Sequence, residues 1–187
     1  MEYFEIKTRY EEILFLGEYK SIKFCIEDAI RQKFLLNKAY LKGVNLRKSN
    51  LQDACFRNSN FCEADLSDSN LMRADFVCSN LEKINLCESD LIGADFRGSD
   101  MRGADLSFAN FIGANLNNCN LEGADLRGAS FQGATLINAD LSGSNLRSTD
   151  FKGADLTNVS FLGSKLIRTN FVGAKMLGVK MVKYEDN

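Results

Sequence analysis

The chain has 187 residues, 45% of them hydrophobic and 26% charged, which is enough for one soluble domain with a buried core. It contains no His, Pro or Trp, which excludes any mechanism that needs an imidazole as base, proton shuttle or metal ligand. The formal net charge of -2 carries neither the basic footprint of a nucleic-acid binder nor the dense negative field of a DNA mimic, so no direct contact with nucleic acid is expected.

The first 33 residues stand apart from the rest of the chain. "EYFEIKTRYEEILFLGEY" predicts two short strands around a charged turn. Ser21 then opens an amphipathic helix through about Lys33, with Ile22, Phe24, Ile26, Ala29 and Ile30 as its apolar side. This β-hairpin and α-helix are expected to cap the next region, with Phe34 at the junction. The longest early apolar run, "ILFL" at 13–16, is too short for a secretory signal, so a cytoplasmic chain without membrane association is expected. Six cysteines (Cys25, Cys55, Cys62, Cys78, Cys87 and Cys119) form no C-x-x-C pair, and they read as reduced thiols filling small apolar sites rather than as metal ligands.

From residue 34 to 183 the sequence repeats itself every five residues, as in "NLEGADLRGASFQGATLINADL" at 120–141. Every position ending in 1 or 6 from Leu36 to Met181 is Leu, Phe or Met, 30 in succession, and each is the centre of one unit. Two positions earlier the residue is usually Ala or Ser, and between them stands a polar residue, mostly Asp or Asn. A period of five fits neither a helix nor a plain strand, but it does fit short extended segments joined by tight turns. In an extended segment the small residue and the centre face inward, while the Asp or Asn between them faces out. Of 14 glycines, 13 lie two residues after a centre, where a type II turn favours positive φ.

Like side chains stack well in a solenoid, so the Phe spacing counts the sides. Five Phe pairs are 20 residues apart: 56–76, 76–96, 111–131, 131–151 and 151–171. One column of centres is Leu throughout, from Leu46 to Leu166. Four units per coil follow, and the 30 units make seven and a half coils, a rod roughly 35 Å long at about 4.8 Å per coil. The run resembles the pentapeptide-repeat proteins, whose pattern is a small residue, Asp or Asn, Leu or Phe, and two variable positions, as in "ADLRG" at 124–128. That resemblance implies an all-β solenoid, a right-handed quadrilateral parallel β-helix, in a bacterial protein.

At the far end only the 184–187 tail follows the repeats. Here the outward positions Leu162, Ile167, Val172, Leu177 and Val182 become apolar, and Lys165, Lys175 and Lys180 replace the usual Asp or Asn. Together with Met181 they form a collar that invites a homodimer through the C-terminal coils, the pairing also seen in several members of the resembled family. Folding of the tail over this collar is the alternative.

No catalytic constellation emerges. The ten carboxylates Asp65, Asp75, Asp90, Asp95, Asp100, Asp105, Asp125, Asp140, Asp150 and Asp155 sit in the polar column of the repeat, where bonding to nearby backbone is expected. No P-loop, paired acid or metal-ligand spacing occurs, a smooth rod offers no concave pocket, and no cofactor is expected. The outward positions offer partner surfaces instead. Met72, Ile92 and Ile112 form a stripe on one face; on the neighbouring face Phe108 projects from a turn, followed by Arg127, Arg147 and Arg168. The expected function is a non-enzymatic scaffold for another protein. The resemblance supplies an alternative, protection or inhibition of DNA gyrase or another topoisomerase, as in quinolone resistance. The nearly balanced acidic and basic side chains of the repeats and the unbroken register count against it.

Overall fold

A computed structural model describes residues 1–181; Val182 of the collar and the 184–187 tail lie outside the described residues. Strands β1 (Glu2–Lys7) and β2 (Ile13–Tyr19) pair antiparallel from Glu2↔Tyr19 to Lys7↔Ile13. Thr8 fixes the turn between them. Its N–H donates to the Glu12 carbonyl at 2.9 Å, and its Oγ1 accepts the N–H groups of Tyr10 and Glu12.

Helix α1 (Ile22–Arg31) follows, with Ser21 at its N-cap in extended backbone but making no side-chain cap bond. The helix buries Cys25, Ile26 and Ala29. The expected apolar side needs one correction, because Phe24 is 49% exposed while Cys25 is fully buried. Helical geometry gives the reason: positions 22, 25, 26 and 29 share a stripe, and position 24 points about 100° away from position 25.

Hairpin and helix are joined to the first repeats. The Tyr40 N–H donates to the Lys7 carbonyl at 2.7 Å, Lys23 Nζ to the carbonyls of Arg47 and Lys48, and the Asn50 N–H to Glu27 Oε1. Ile6, Phe15, Cys25, Ile26 and Ala29 lie in the same apolar cluster as Leu36, Leu41 and Leu46. One core therefore runs through the junction.

The repeats form a ladder of isolated parallel bridges, each joining a residue to the one 20 positions later, from Tyr40↔Asn60 to Ser160↔Lys180. This is the four-unit coil that the Phe spacing predicts. Long strands are absent from the described repeats because each side holds one bridge residue before the chain turns. Every position ending in 3 or 8 from Lys38 to Gly178 has positive φ; the thirteen glycines span 63 to 72° and the other residues 56 to 62°. Glycine lowers the cost of the turn, by about 1 kcal/mol where it replaces a side chain there, but the turn forms without it.

Inside the coil, all five Phe pairs stack, with centroids 4.6 to 5.6 Å apart. Fully burying each centre is worth roughly 1.5–3 kcal/mol. The inward serines have a role that the word "small" conceals. Ser79 Oγ donates to the Phe56 carbonyl at 2.8 Å, Ser99 Oγ to Phe76 at 2.6 Å, and Thr149 Oγ1 to Leu126 at 2.8 Å, each reaching 23 residues back to a centre of the preceding coil. Such a bond contributes about 1 kcal/mol net. Ser49 Oγ has no partner among the described residues, because the residue 23 earlier, Ile26, lies in α1 and not in a coil.

Candidate interaction surface

The polar column is committed to the fold. In each of its ten aspartates, from Asp65 to Asp155, Oδ1 accepts the backbone N–H two residues later, for example Asp65 to Ser67 at 3.0 Å and Asp150 to Lys152 at 2.9 Å. Each carboxylate thus closes the turn after it, as the sequence predicts. The same aspartates capture arginines. Arg97, Arg102 and Arg127 fold back onto Asp95, Asp100 and Asp125 with N–O distances of 2.6 to 2.7 Å. Arg102 holds the Asp100 carboxyl below its ordinary pKa, and Asp125 raises that of Arg127. Exposed pairs of this kind add about 0–1 kcal/mol, so their main effect is to neutralise the surface.

What remains for a partner is the two variable positions of each unit. Met72, Ile92 and Ile112 occupy successive coils, linked by Arg73 N–H to the Ile92 carbonyl and Gly93 N–H to the Ile112 carbonyl. Met72 and Ile92 are half-buried, and Ile112 is 39% exposed. Arg127 and Arg147 also stack, through the Gly128 N–H and the Arg147 carbonyl. Arg168 does not continue that column. The Ser148 N–H donates to the Ile167 carbonyl, so Ile167 follows Arg147, while Arg168 takes the turn position above Ser148 at φ 57°. Arg127 is bound to Asp125, whereas Arg147 follows Asn145 and has no ion-pair partner among the described residues.

Phe108 is the unusual member of this surface. It is 63% exposed and adopts φ 58°, the single aromatic among the positive-φ residues of the described chain. A bulky side chain in left-handed backbone is an outlier. Its ring lies over Gly128, where a Cβ would stand 2.7 Å from two ring carbons. Glycine at 128 therefore does more than ease a turn, since it leaves the seat for the ring. The signal was in the sequence, as a Phe at a position otherwise held by Gly, polar residues and Cys78.

The collar residues Leu162, Ile167, Val172 and Leu177 are exposed, and the centres Met176 and Met181 stay partly open. At the opposite end the expectation of a rod without concavities is corrected. Packing of the hairpin and helix against the coil corners leaves clefts there, one of about 940 Å³ beside α1 and another of about 530 Å³ beside the hairpin turn. In the first, Tyr19 donates its hydroxyl to Asp28 Oδ2 at 2.6 Å, which holds the carboxyl below its ordinary pKa and pushes the phenol up to about 12. Among the described residues no helix is long and apolar enough to cross a membrane, and no group of three or more Cys, Asp or Glu side chains is placed to hold a metal ion.

Several solved structures are similar. HetL, a pentapeptide repeat protein involved in heterocyst differentiation regulation from Nostoc sp. strain PCC 7120, is 23% identical over 78% of this chain and 88% of its own, with a TM-score of 0.39. A pentapeptide repeat protein from the Arabidopsis thaliana thylakoid lumen is 34% identical over 52% of this chain and 65% of its own, with a TM-score of 0.41. A trypsin-treated form of QnrB1, a plasmid-mediated fluoroquinolone resistance protein, is 25% identical over 80% of each chain, with a TM-score of 0.41. No curated protein sequence matches. The family model described as Pentapeptide repeats matches in 8 copies, over residues 35–61, 69–107, 104–143 and 144–181. The chain belongs to the pentapeptide-repeat family, and its coils are the right-handed quadrilateral β-helix of that family.

Proposed function

We propose that this protein is a non-enzymatic scaffold that binds another protein through the surface centred on Phe108. The observation that carries the reading is the backbone of Phe108: an exposed aromatic side chain is held in left-handed conformation over a glycine seat, at a turn where glycine itself would serve the fold. Ile112 lies in the same coil, and the stripe of Ile92 and Met72 continues below it. Arg147 supplies a charge beside this apolar centre. Aromatic and Arg anchors ringed by weaker contacts are the usual anatomy of a binding hot spot. Affinity capture from the host with the wild type and with Ile112→Asp tests the reading; a partner retained equally by both variants overturns it.

The organisation that goes with this function is a cap over residues 1–33, a β-helix of about seven coils over 34–183, and a tail over 184–187. We place the protein in a bacterial cytoplasm. The exposed collar of Leu162, Ile167, Val172 and Leu177 supports a homodimer through the C-terminal coils, which light scattering reads as twice the 20.9 kDa chain mass. Protection of DNA gyrase is the less supported alternative. The Arg97–Asp95, Arg102–Asp100 and Arg127–Asp125 pairs neutralise charge that a duplex mimic would display. A supercoiling assay with and without a quinolone decides it.

A further inference from the structure

The cleft beside the hairpin turn has a chemistry that the interaction surface does not share. The Thr8 turn is pinned to the first coil by the Thr8↔Ala39 bridge and by the Tyr40 N–H on the Lys7 carbonyl, and it sets Arg9 and Tyr10 opposite Lys38 and Tyr40. Asn58, Asn60 and Asn80 complete the polar wall, and among the described residues no carboxylate lines the cleft. The acidic residues of the turn stay outside it, Glu11 facing Lys7 Nζ at 3.2 Å.

The asparagines sharpen the polarity. Asn60 Oδ1 accepts the Cys62 N–H at 2.9 Å and Asn80 Oδ1 the Glu82 N–H at 3.0 Å. A backbone N–H can only donate, so each accepting atom is the oxygen, and the group each amide has left to offer is its NH2. Arg9 and Lys38 have no ion-pair partner among the described residues. The wall thus offers two cations and two amide NH2 groups as donors, beside two phenol hydroxyls that can donate or accept.

We propose that this cleft is a binding site for a small phosphate-bearing anion. The cleft, about 530 Å³ and open to solvent, with Tyr10 87% and Tyr40 47% exposed, has room for a phosphate chain, and several donors around two cations match the many acceptor oxygens of such a chain. The adjacent β-helix supplies the rigidity, since Lys38, Asn58 and Cys78 are stacked turn residues of successive coils.

The test is isothermal titration of the full chain with inorganic pyrophosphate, and with citrate as a carboxylate of comparable charge. Saturable binding of pyrophosphate is expected, weakened about tenfold or more by Arg9→Gln and by Lys38→Gly. Lys38→Gly suits the left-handed backbone, and circular dichroism verifies the fold of both variants. Lys48→Gly makes the same charge change at an equivalent turn outside the cleft and is expected to leave binding unchanged. Absence of saturable binding, equal weakening by Lys48→Gly, or citrate binding as tightly as pyrophosphate overturns the proposal.

Discussion

Replacing Phe108 by glycine separates what the fold requires from what the surface is for. The left-handed conformation costs a side-chain-bearing residue about 1–2 kcal/mol, and glycine removes that cost. Against this, glycine loses about 0.5–1 kcal/mol more backbone entropy on folding. The ring is 63% exposed, so only about a third of it is buried, on the order of 70 Å² or about 1.5 kcal/mol of apolar burial. These terms nearly cancel, and Phe108→Gly is expected to change stability by no more than about 1 kcal/mol in urea unfolding. Phe108→Ala keeps the strained backbone while losing the ring, so it should be less stable than the glycine variant by about 1 kcal/mol. A loss above about 3 kcal/mol for Phe108→Gly, the size of a core deletion, would place the ring in the fold and refute the argument.

The interior and the N-terminal hairpin and helix carry further consequences. Phe131 stacks between Phe111 and Phe151, so Phe131→Ala should cost about 3–5 kcal/mol, with hydrogen exchange rising first in the adjoining coils. Ser79→Ala should cost about 1 kcal/mol, whereas Ser49→Ala, which removes an unpartnered hydroxyl, should be neutral or stabilising in the same urea titration. Burial pushes the thiol of Cys25 up to about 11 and that of Cys119 up to about 12; a thiol reagent at pH 8 should label exposed Cys78 and spare both. The Tyr19 hydroxyl lowers the pKa of Asp28 on folding, so the stability it lends is complete above the ordinary value of 3.8 and is lost as pH falls below it. Tyr19→Phe should flatten that acid limb in a pH series of thermal melts.

The repeat made most of this architecture readable. A period of five with fixed turn positions gives the coil, and Phe residues 20 apart give its sides, because identical rings stack best directly above one another. The reading of α1 failed at Phe24, where helical phase outweighs hydrophobicity. It also missed that the inward serines are donors. Ser59, Ser79 and Ser99 recur with the coil period, but only the geometry shows a centre's carbonyl within reach of each hydroxyl. The arginine ladder was misplaced by one residue at its last rung, since 20 positions beyond Arg147 stands Ile167 and not Arg168. The clefts were out of reach for a different reason. They arise where two kinds of structure meet, and no periodicity describes that junction.

The central claim is that the edge between two neighbouring faces, one bearing Phe108 and the other Ile112, meets a protein partner. Its most direct measurement places a photo-cross-linking benzoylphenylalanine at position 108, at position 112 and, as a control, at exposed position 122, which follows the centre Leu121 of a third column. After irradiation in the native host, one discrete adduct from positions 108 and 112 and none from 122 is the predicted result. Adducts of equal yield at all three positions, or none at 108 and 112, would contradict it.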